Sequence, residues 1–267
     1  QFRNKIRMGK LNKTLLMVSV FLINSLVFSQ RYQVDYEIKY QPQLLKKEVT
    51  KEHYVLGVDM VEKRSNFNAI NLMDTTFNSI VLKDFNKSEF QKLEFISSNL
   101  FKLDYHFPDT WKLLNTTKEI LSYPCSKAEI EFGGRIWEAW YATTIAFPDG
   151  PYKFQGLPGL ILEVKSKDNE YQFKATGIKK VDTILKMSSS YATNFGSKEK
   201  EIAYKRKLKI DPTISEKSSS MSNISSTAFY NGKEITGKES NQYRIDSFNK
   251  FISTHNNPIE KGDIWVN

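Results

Sequence analysis

The sequence predicts a mainly β protein: one strongly curved antiparallel sheet, or half-barrel, with a few short helices, and a β-sandwich as the alternative. Three observations predict it. Tyr32, Val34, Tyr36, Ile38 and Tyr40 alternate with Gln33, Asp35, Glu37 and Lys39, the period of two of a strand with one buried and one wet face. Short strand-like runs then recur between polar breaks, with no long amphipathic helix to build a parallel α/β fold. Finally, Gly133-Gly134 separates two such runs, the composition of a two-residue hairpin turn.

In chain order, residues 1–29 read as a signal peptide. Lys5, Arg7, Lys10 and Lys13 precede an apolar run from Leu15 to Phe28, and Val27-Phe28-Ser29 sets cleavage before Gln30. That run is shorter than the roughly 20 residues a spanning helix needs. Residues 1–7 precede the first methionine, Met8, and read as upstream sequence. Residues 30–185 are expected to form the antiparallel β core. Residues 186–267 form a loop-rich extension with short helices, packed on the same domain.

Within the core, strand-like runs fall at His53–Met60, Ser79–Phe85, Leu93–Ile96, Phe101–Phe107 and Trp111–Thr116. The hairpin Lys127–Ile145 turns at Gly133 and Gly134, which sets Phe132 opposite Arg135, Ile130 opposite Trp137 and Ala128 opposite Ala139, a mostly apolar face expected to point to the core. The other face then brings Glu129 opposite Glu138 and Lys127 opposite Trp140. A second hairpin joins Leu160–Lys165 to Tyr171–Lys180. Between the hairpins lie two rigid bends, Pro148-Asp149-Gly150-Pro151 and Gly156-Leu157-Pro158-Gly159, where proline fixes φ and glycine opens the left-handed region. They are expected to lie together at one sheet edge with Tyr152 and Phe154 tucked inward. Helices are expected over Lys198–Lys209, which is strongly basic, and over Tyr243–Ile252.

The net charge of +9 overstates the basic character, because Arg3, Lys5, Arg7, Lys10 and Lys13 stand in residues 1–29 with no acid among them. From residue 30 onward the balance is +4, too mild for a nucleic-acid footprint. A single cysteine, Cys125, excludes an intramolecular disulfide and a cysteine metal cluster, and reads as a small buried hydrophobe.

The residues offer little chemistry. His53, His106 and His255 stand far apart and in no metal-ligand spacing. The second bend cannot cradle a phosphate, since Pro158 lacks an amide donor. No cofactor and no metal are called for. The facing pair Glu129 and Glu138 is the sharpest catalytic candidate, because adjacent carboxylates can split their pKa values into an acid and a base. The competing reading is a wet outer face, both groups ionised beside Lys127 or Arg135. Asp149 reads first as a turn residue. Trp137, Trp140, Tyr152 and Phe154 form an aromatic set around the bends and are the candidate binding residues. Trp137 and Trp140 point to opposite faces of one strand, so one of them must lie outside the main core.

The run Tyr123-Pro124-Cys125-Ser126-Lys127-Ala128, then Phe132-Gly133-Gly134-Arg135, Trp137, Ala139-Trp140-Tyr141, Asp149-Gly150-Pro151-Tyr152-Lys153-Phe154 and Gly156-Leu157-Pro158-Gly159-Leu160-Ile161 closely resembles the GLPGLI family of Bacteroidetes envelope proteins. The closing Asn257-Pro258-Ile259-Glu260 resembles that family's C-terminal ending. The resemblance implies an exported protein, periplasmic, outer-membrane-associated or secreted, and carries no catalytic residue with it. The expected function is a non-enzymatic binding, carrier or adaptor role toward a peptide, an apolar ligand or a protein partner. No transmembrane span is expected in the mature chain, and peripheral envelope contact through the basic 198–209 segment is one further expectation. The alternative is a hydrolase built on Glu129 and Glu138.

Overall fold

The computed structural model describes residues 31–72, 75–96, 99–214, 227–230 and 233–266. The expected signal peptide, 1–29, lies outside the described residues. β1 (Arg31–Tyr40), β2 (Thr50–Asp59), β3 (Arg64–Ala69), β4 (Ile80–Asp84), β5 (Glu89–Ile96) and β6 (Asn99–Asp104) form one antiparallel meander. β7 (Lys112–Ile120), β8 (Tyr123–Phe132), β9 (Arg135–Ala142), β10 (Leu160–Ser166) and β11 (Tyr171–Lys180) form a second. The two meanders join where β1 pairs with β11, so the sheet order is β12-β6-β5-β4-β3-β2-β1-β11-β10-β9-β8-β7. The short β12 (Thr193–Asn194) adds a parallel bridge on β6. α1 (Lys198–Ile210), the hairpin β13 (Thr227–Tyr230) and β14 (Lys233–Thr236), and α2 (Gly237–Thr254) complete the described elements.

The connectivity alone requires strong curvature. β6 and β7 stand ten strand spacings apart in the sheet order, about 48 Å if the sheet were flat. The eight Cα-to-Cα steps from Asp104 to Lys112 reach at most about 28 Å when fully extended. The edges must therefore curl toward each other, and residues 105–111 cross the concave side: Phe107 packs on Phe132 and Phe154 there. Rings from strands three places apart also meet, with Phe67 of β3 6.3 Å from Phe173 of β11. The curved antiparallel sheet with short helices that the sequence predicts is the architecture observed.

Its inner face is a continuous aromatic core. Val34, Tyr36, Ile38 and Tyr40 of β1 are all buried, as their alternation requires. The β8–β9 hairpin has the expected register, Phe132 opposite Arg135, Ile130 opposite Trp137 and Ala128 opposite Ala139. Gly133 and Gly134 both adopt positive φ at its turn, the geometry of a primed two-residue turn.

Three elements differ from expectation. β3 was not foreseen: Arg-Ser-Asn-Phe-Asn-Ala lies outside the strand-like runs, with two asparagines among its six residues. It forms a strand with both faces covered: Asn66 Nδ2 donates to Leu185 O at 2.5 Å, so the segment after β11 lies over its outer side. The expected Phe101–Phe107 strand stops at Asp104, where the chain departs across the concavity. The two bends meet, but not at a sheet edge, since β9 and β10 are interior strands.

The C-terminal extension seals one end of the half-barrel. Trp265 donates to Thr76 O at 2.9 Å and packs on Tyr40 and Phe77. Leu208 of α1 and Val266 are buried with Ile96 and Phe101. No helix among the described residues is long and apolar enough to cross a membrane.

Candidate functional site

The segment between β9 and β10 folds back into the concavity and is locked there by its own backbone. Gly156 N donates to Pro148 O at 2.9 Å, Ile161 N to Asp149 O at 2.8 Å and Leu160 N to Ile145 O at 3.0 Å. Trp111 Nε1 closes the outside of the second bend on Gln155 O at 2.8 Å. Gly159 is obligatory for a steric reason: a Cβ there would stand 2.3 Å from Ala142 O, far inside contact distance. Tyr152 adopts φ 51, an uncommon conformation for a non-glycine residue. It is held by burial and by its hydroxyl bond to Glu260 Oε1 at 2.5 Å.

A buried ion pair fastens this plug to the opposite meander. Lys83 of β4 lies on the inner side with its side chain fully buried, and its Nζ reaches Asp149 Oδ1 at 2.5 Å, Gly150 O at 3.0 Å and Phe154 O at 3.2 Å. Three acceptors satisfy the three ammonium protons. Burial presses the Lys83 pKa below its ordinary value, and the adjacent Asp149 carboxylate opposes that fall.

A second polar layer joins the plug to the C-terminal segment. Lys153 Nζ meets Glu260 Oε1 at 2.5 Å, on the same oxygen that Tyr152 engages. Burial opposes ionisation of Glu260, yet the Lys153, Lys198 and Lys92 ammoniums prevail and hold its carboxyl below the usual range. Arg135 donates to Asn257 Oδ1 at 2.6 Å and to Ile259 O at 2.9 Å, and also pairs with Asp168 and Glu170. The segments Asp149–Phe154 and Asn257–Glu260, far apart in sequence, are thus bonded neighbours. Beyond them Lys92, Glu94, Glu201, Lys205 and Asp263 form one buried network, with Lys205 Nζ 2.7 Å from both Glu94 Oε1 and Glu201 Oε1. Lys198, 2.9 Å from Glu201 and 2.8 Å from Asp263, supplies a third cation, so three ammoniums face three carboxylates.

A small cavity of about 30 Å³ lies beside this network, with Tyr152, Lys92, Lys205 and Asp263 on its wall. That is room for one or two waters, not for an organic ligand.

The expected binding residues divide sharply. Trp137, Tyr152 and Phe154 are each 0% exposed, with Trp137 and Phe154 rings 4.8 Å apart. They are core: beside Tyr152 the open volume is the small cavity of about 30 Å³, and the plug occupies the concavity that would have held a ligand. Trp140 is the outward member, half-buried on the convex face. Lys118 Nζ stands 4.3 Å and Lys127 Nζ 5.6 Å from its ring centre, and Lys118 pairs with Glu163 at 2.6 Å.

Glu129 and Glu138 face each other as expected, but each has its own cation. Lys167 lies 2.8 Å from Glu129 and Lys127 lies 2.8 Å from Glu138. The hydrogen bond from Lys167 holds the Glu129 carboxyl below its ordinary value, the opposite of what a general acid needs. Asp149 is enclosed beneath the plug with Lys83. These carboxylates converge on no cleft. Cys125 is free and buried, its thiol pushed up by burial. Among the described residues no group of three His, Cys, Asp or Glu side chains is placed to hold a metal.

Sequence reasoning missed Lys83, Arg135, Glu260 and the network around Lys92. A lysine in a short strand carries no local mark of burial; the pairing of Asp149–Phe154 with Asn257–Glu260 was legible only as two separate motifs.

Among the solved structures that this fold resembles are two forms of PNGF-II. The structure in space group P21 matches at TM-score 0.51 and 17% identity over 66% of this chain and 32% of that one. The structure in space group C2 matches at TM-score 0.51 and 16% identity over 76% of this chain and 35% of that one. The chain therefore spans about a third of the length of the PNGF-II structures, and the likeness is one of fold. No curated protein matches it in sequence. The family model described as "N-glycanase peptide, N-terminal domain" matches residues 66–206, more than half of the chain, from β3 through the double bend into α1. The chain belongs to the N-glycanase peptide, N-terminal domain family.

Proposed function

We propose that this chain is a non-catalytic binding module of an exported, envelope-associated protein, which engages a protein or peptide partner on its outer surface. The observation that carries this reading is the filled concavity. Tyr152, Phe154 and Leu157 occupy the interior at 0–1% exposure, where a carrier of apolar ligands would need open volume. Binding is then left to the convex face, where Trp140 stands half-buried between Lys118 and Lys127. A tryptophan left half-buried on an outer face is the residue type that most often anchors an interface. The GLPGLI resemblance supports the exported setting, and the family supports an accessory role beside an N-glycanase.

The test is affinity capture with residues 30–267 as bait, followed by mass spectrometry, run beside an assay for glycan release from an N-glycosylated protein. A partner retained by the native chain and weakened at least about 30-fold by Trp140→Ala, as expected for an anchor worth about 2 kcal/mol, supports the reading. Glycan release by the isolated chain, or partner binding indifferent to Trp140→Ala, overturns it.

A further inference from the structure

The loop between β1 and β2 presents an apolar tip that the core does not use. Leu45 is 94% exposed and Leu44 51%. This is not looseness. Gln41 Nε2 donates to Gln43 O at 2.8 Å and to Leu44 O at 3.1 Å, Leu44 N donates to Asn256 Oδ1 at 2.9 Å, and Gln43 Nε2 reaches Ser253 O at 3.2 Å. The backbone is pinned to the C-terminal segment while the two leucines point away from it.

The strand register places more exposed apolar surface at the same end of the sheet. Tyr40 faces Thr50 across the loop, and Ile70 N bonds His53 O at 3.0 Å just past β3. Ile70 and Leu72, 63% and 38% exposed, therefore leave the sheet on the side of the leucine tip. At the opposite end, Val61 and Leu121 are the exposed large apolar residues of the β2–β3 and β7–β8 turns. The asymmetry is one of charge as well. Lys46, Lys47 and Lys51 are exposed around the tip and make no ion pair among the described residues. Of the nearby acids, Glu52 is turned inward to Tyr40 Oη at 2.6 Å and Thr76 N at 2.9 Å, and Glu37 is paired with Lys39. Exposed Glu48 is the remaining counter-charge in the loop.

We propose that this end of the half-barrel docks on an anionic lipid surface, with Leu44 and Leu45 entering the acyl boundary and Lys46, Lys47 and Lys51 meeting the headgroup phosphates. A narrow apolar tip projecting from a pinned loop suits a fluid interface better than a flat protein face. The ring of unpaired ammoniums selects the anionic kind, as interfacial anchors of peripheral proteins do. The proposal extends the envelope setting proposed above and is independent of Trp140.

Flotation of residues 30–267 with vesicles tests it, using phosphatidylglycerol with phosphatidylethanolamine in one set and phosphatidylcholine in the other. Binding is expected to the anionic vesicles, and to fall steeply at 1 M salt, where the Debye length is about 3 Å. Each lysine near an anionic leaflet contributes about fivefold, so reversing both in Lys46→Glu/Lys47→Glu should weaken binding at least about 30-fold. Leu44→Asp/Leu45→Asp should abolish it with an unchanged thermal melt, since neither side chain packs in the core. Absence of anionic-vesicle binding overturns the proposal. So does equal binding to neutral vesicles, or a concentration-dependent dimer that the leucine variant disperses, which would assign the tip to a second copy of this chain.

Discussion

At the scale of single residues, the molecule depends on charges placed where charges are costly. Lys83 and Asp149 are fully buried, so removing either leaves the other as an unpaired ion in the core. Lys83→Ala should cost about 3–5 kcal/mol, read as a fall in the urea midpoint, whereas Lys83→Met/Asp149→Leu should recover part of that loss because no charge is stranded. If the single variant loses under 1 kcal/mol, the plug is not fastened as described. The two tryptophans of β9 make the complementary case. Trp137→Ala should cost about 3–5 kcal/mol through the cavity it opens, and Trp140→Ala should leave the fold nearly unchanged, so a comparable loss at both would contradict the assignment of faces. The Trp137/Trp140 division was legible as a parity argument: three residues apart on one strand, they must point oppositely. Which one faces the core was legible too, because Trp137 shares the mostly apolar face of Ile130, Ala128 and Ala139, whereas Trp140 stands with Lys127, Glu129 and Glu138 on the other; what was not legible is that the plug lies over Trp137.

At the scale of elements, the β8–β9 turn shows how a local rule acquires a long-range reason. Gly133 adopts φ +58, and a Cβ there would also stand 2.8 Å from Glu260 Cγ. Gly133→Ala should therefore exceed the roughly 1 kcal/mol penalty of a left-handed alanine and weaken docking of the C-terminal segment, seen as faster amide exchange over 257–261. Exchange confined to the turn itself would contradict this coupling. The hairpin register was legible because two glycines fix both turn type and pairing. β3 was not, since Asn66 becomes acceptable in a buried strand only when the segment at Leu185 covers it and takes its amide proton. The two bends were legible as rigid, but their destination was not. Composition marks a stiff chain path without saying whether it rims the sheet or enters it, and the entry depends on Lys83, some 65 residues away.

At the scale of the whole molecule, the half-barrel is closed from within by its own plug and from one end by ion pairs, which gives stability a defined pH dependence. Glu260, Asp263 and Glu201 all titrate below the ordinary carboxylate range, the lysine charges outweighing the opposing effect of burial. Their contribution is complete above the unfolded values near 4 and is lost as pH falls through the lower folded values. Lys92 and Lys205 are raised, the surrounding carboxylates outweighing burial, so theirs persists up to the ordinary lysine range and is lost above it. Urea midpoints should form a plateau between about pH 5 and 10 and fall on the acid side, and Glu260→Gln should flatten that fall. A midpoint rising from pH 5 to pH 3 would contradict the network. The sequence's alternation and turns disclosed the curved sheet; its filled interior came from contacts between segments distant in sequence.

The central claim is that this interior is occupied by the chain itself. Native mass spectrometry of residues 30–267, purified from cells without denaturation, tests it most directly. The mass should be that of the bare polypeptide, with no apolar molecule retained, since Tyr152, Phe154 and Leu157 already occupy the space. A stoichiometric lipid or other apolar adduct, released only on unfolding, would contradict it.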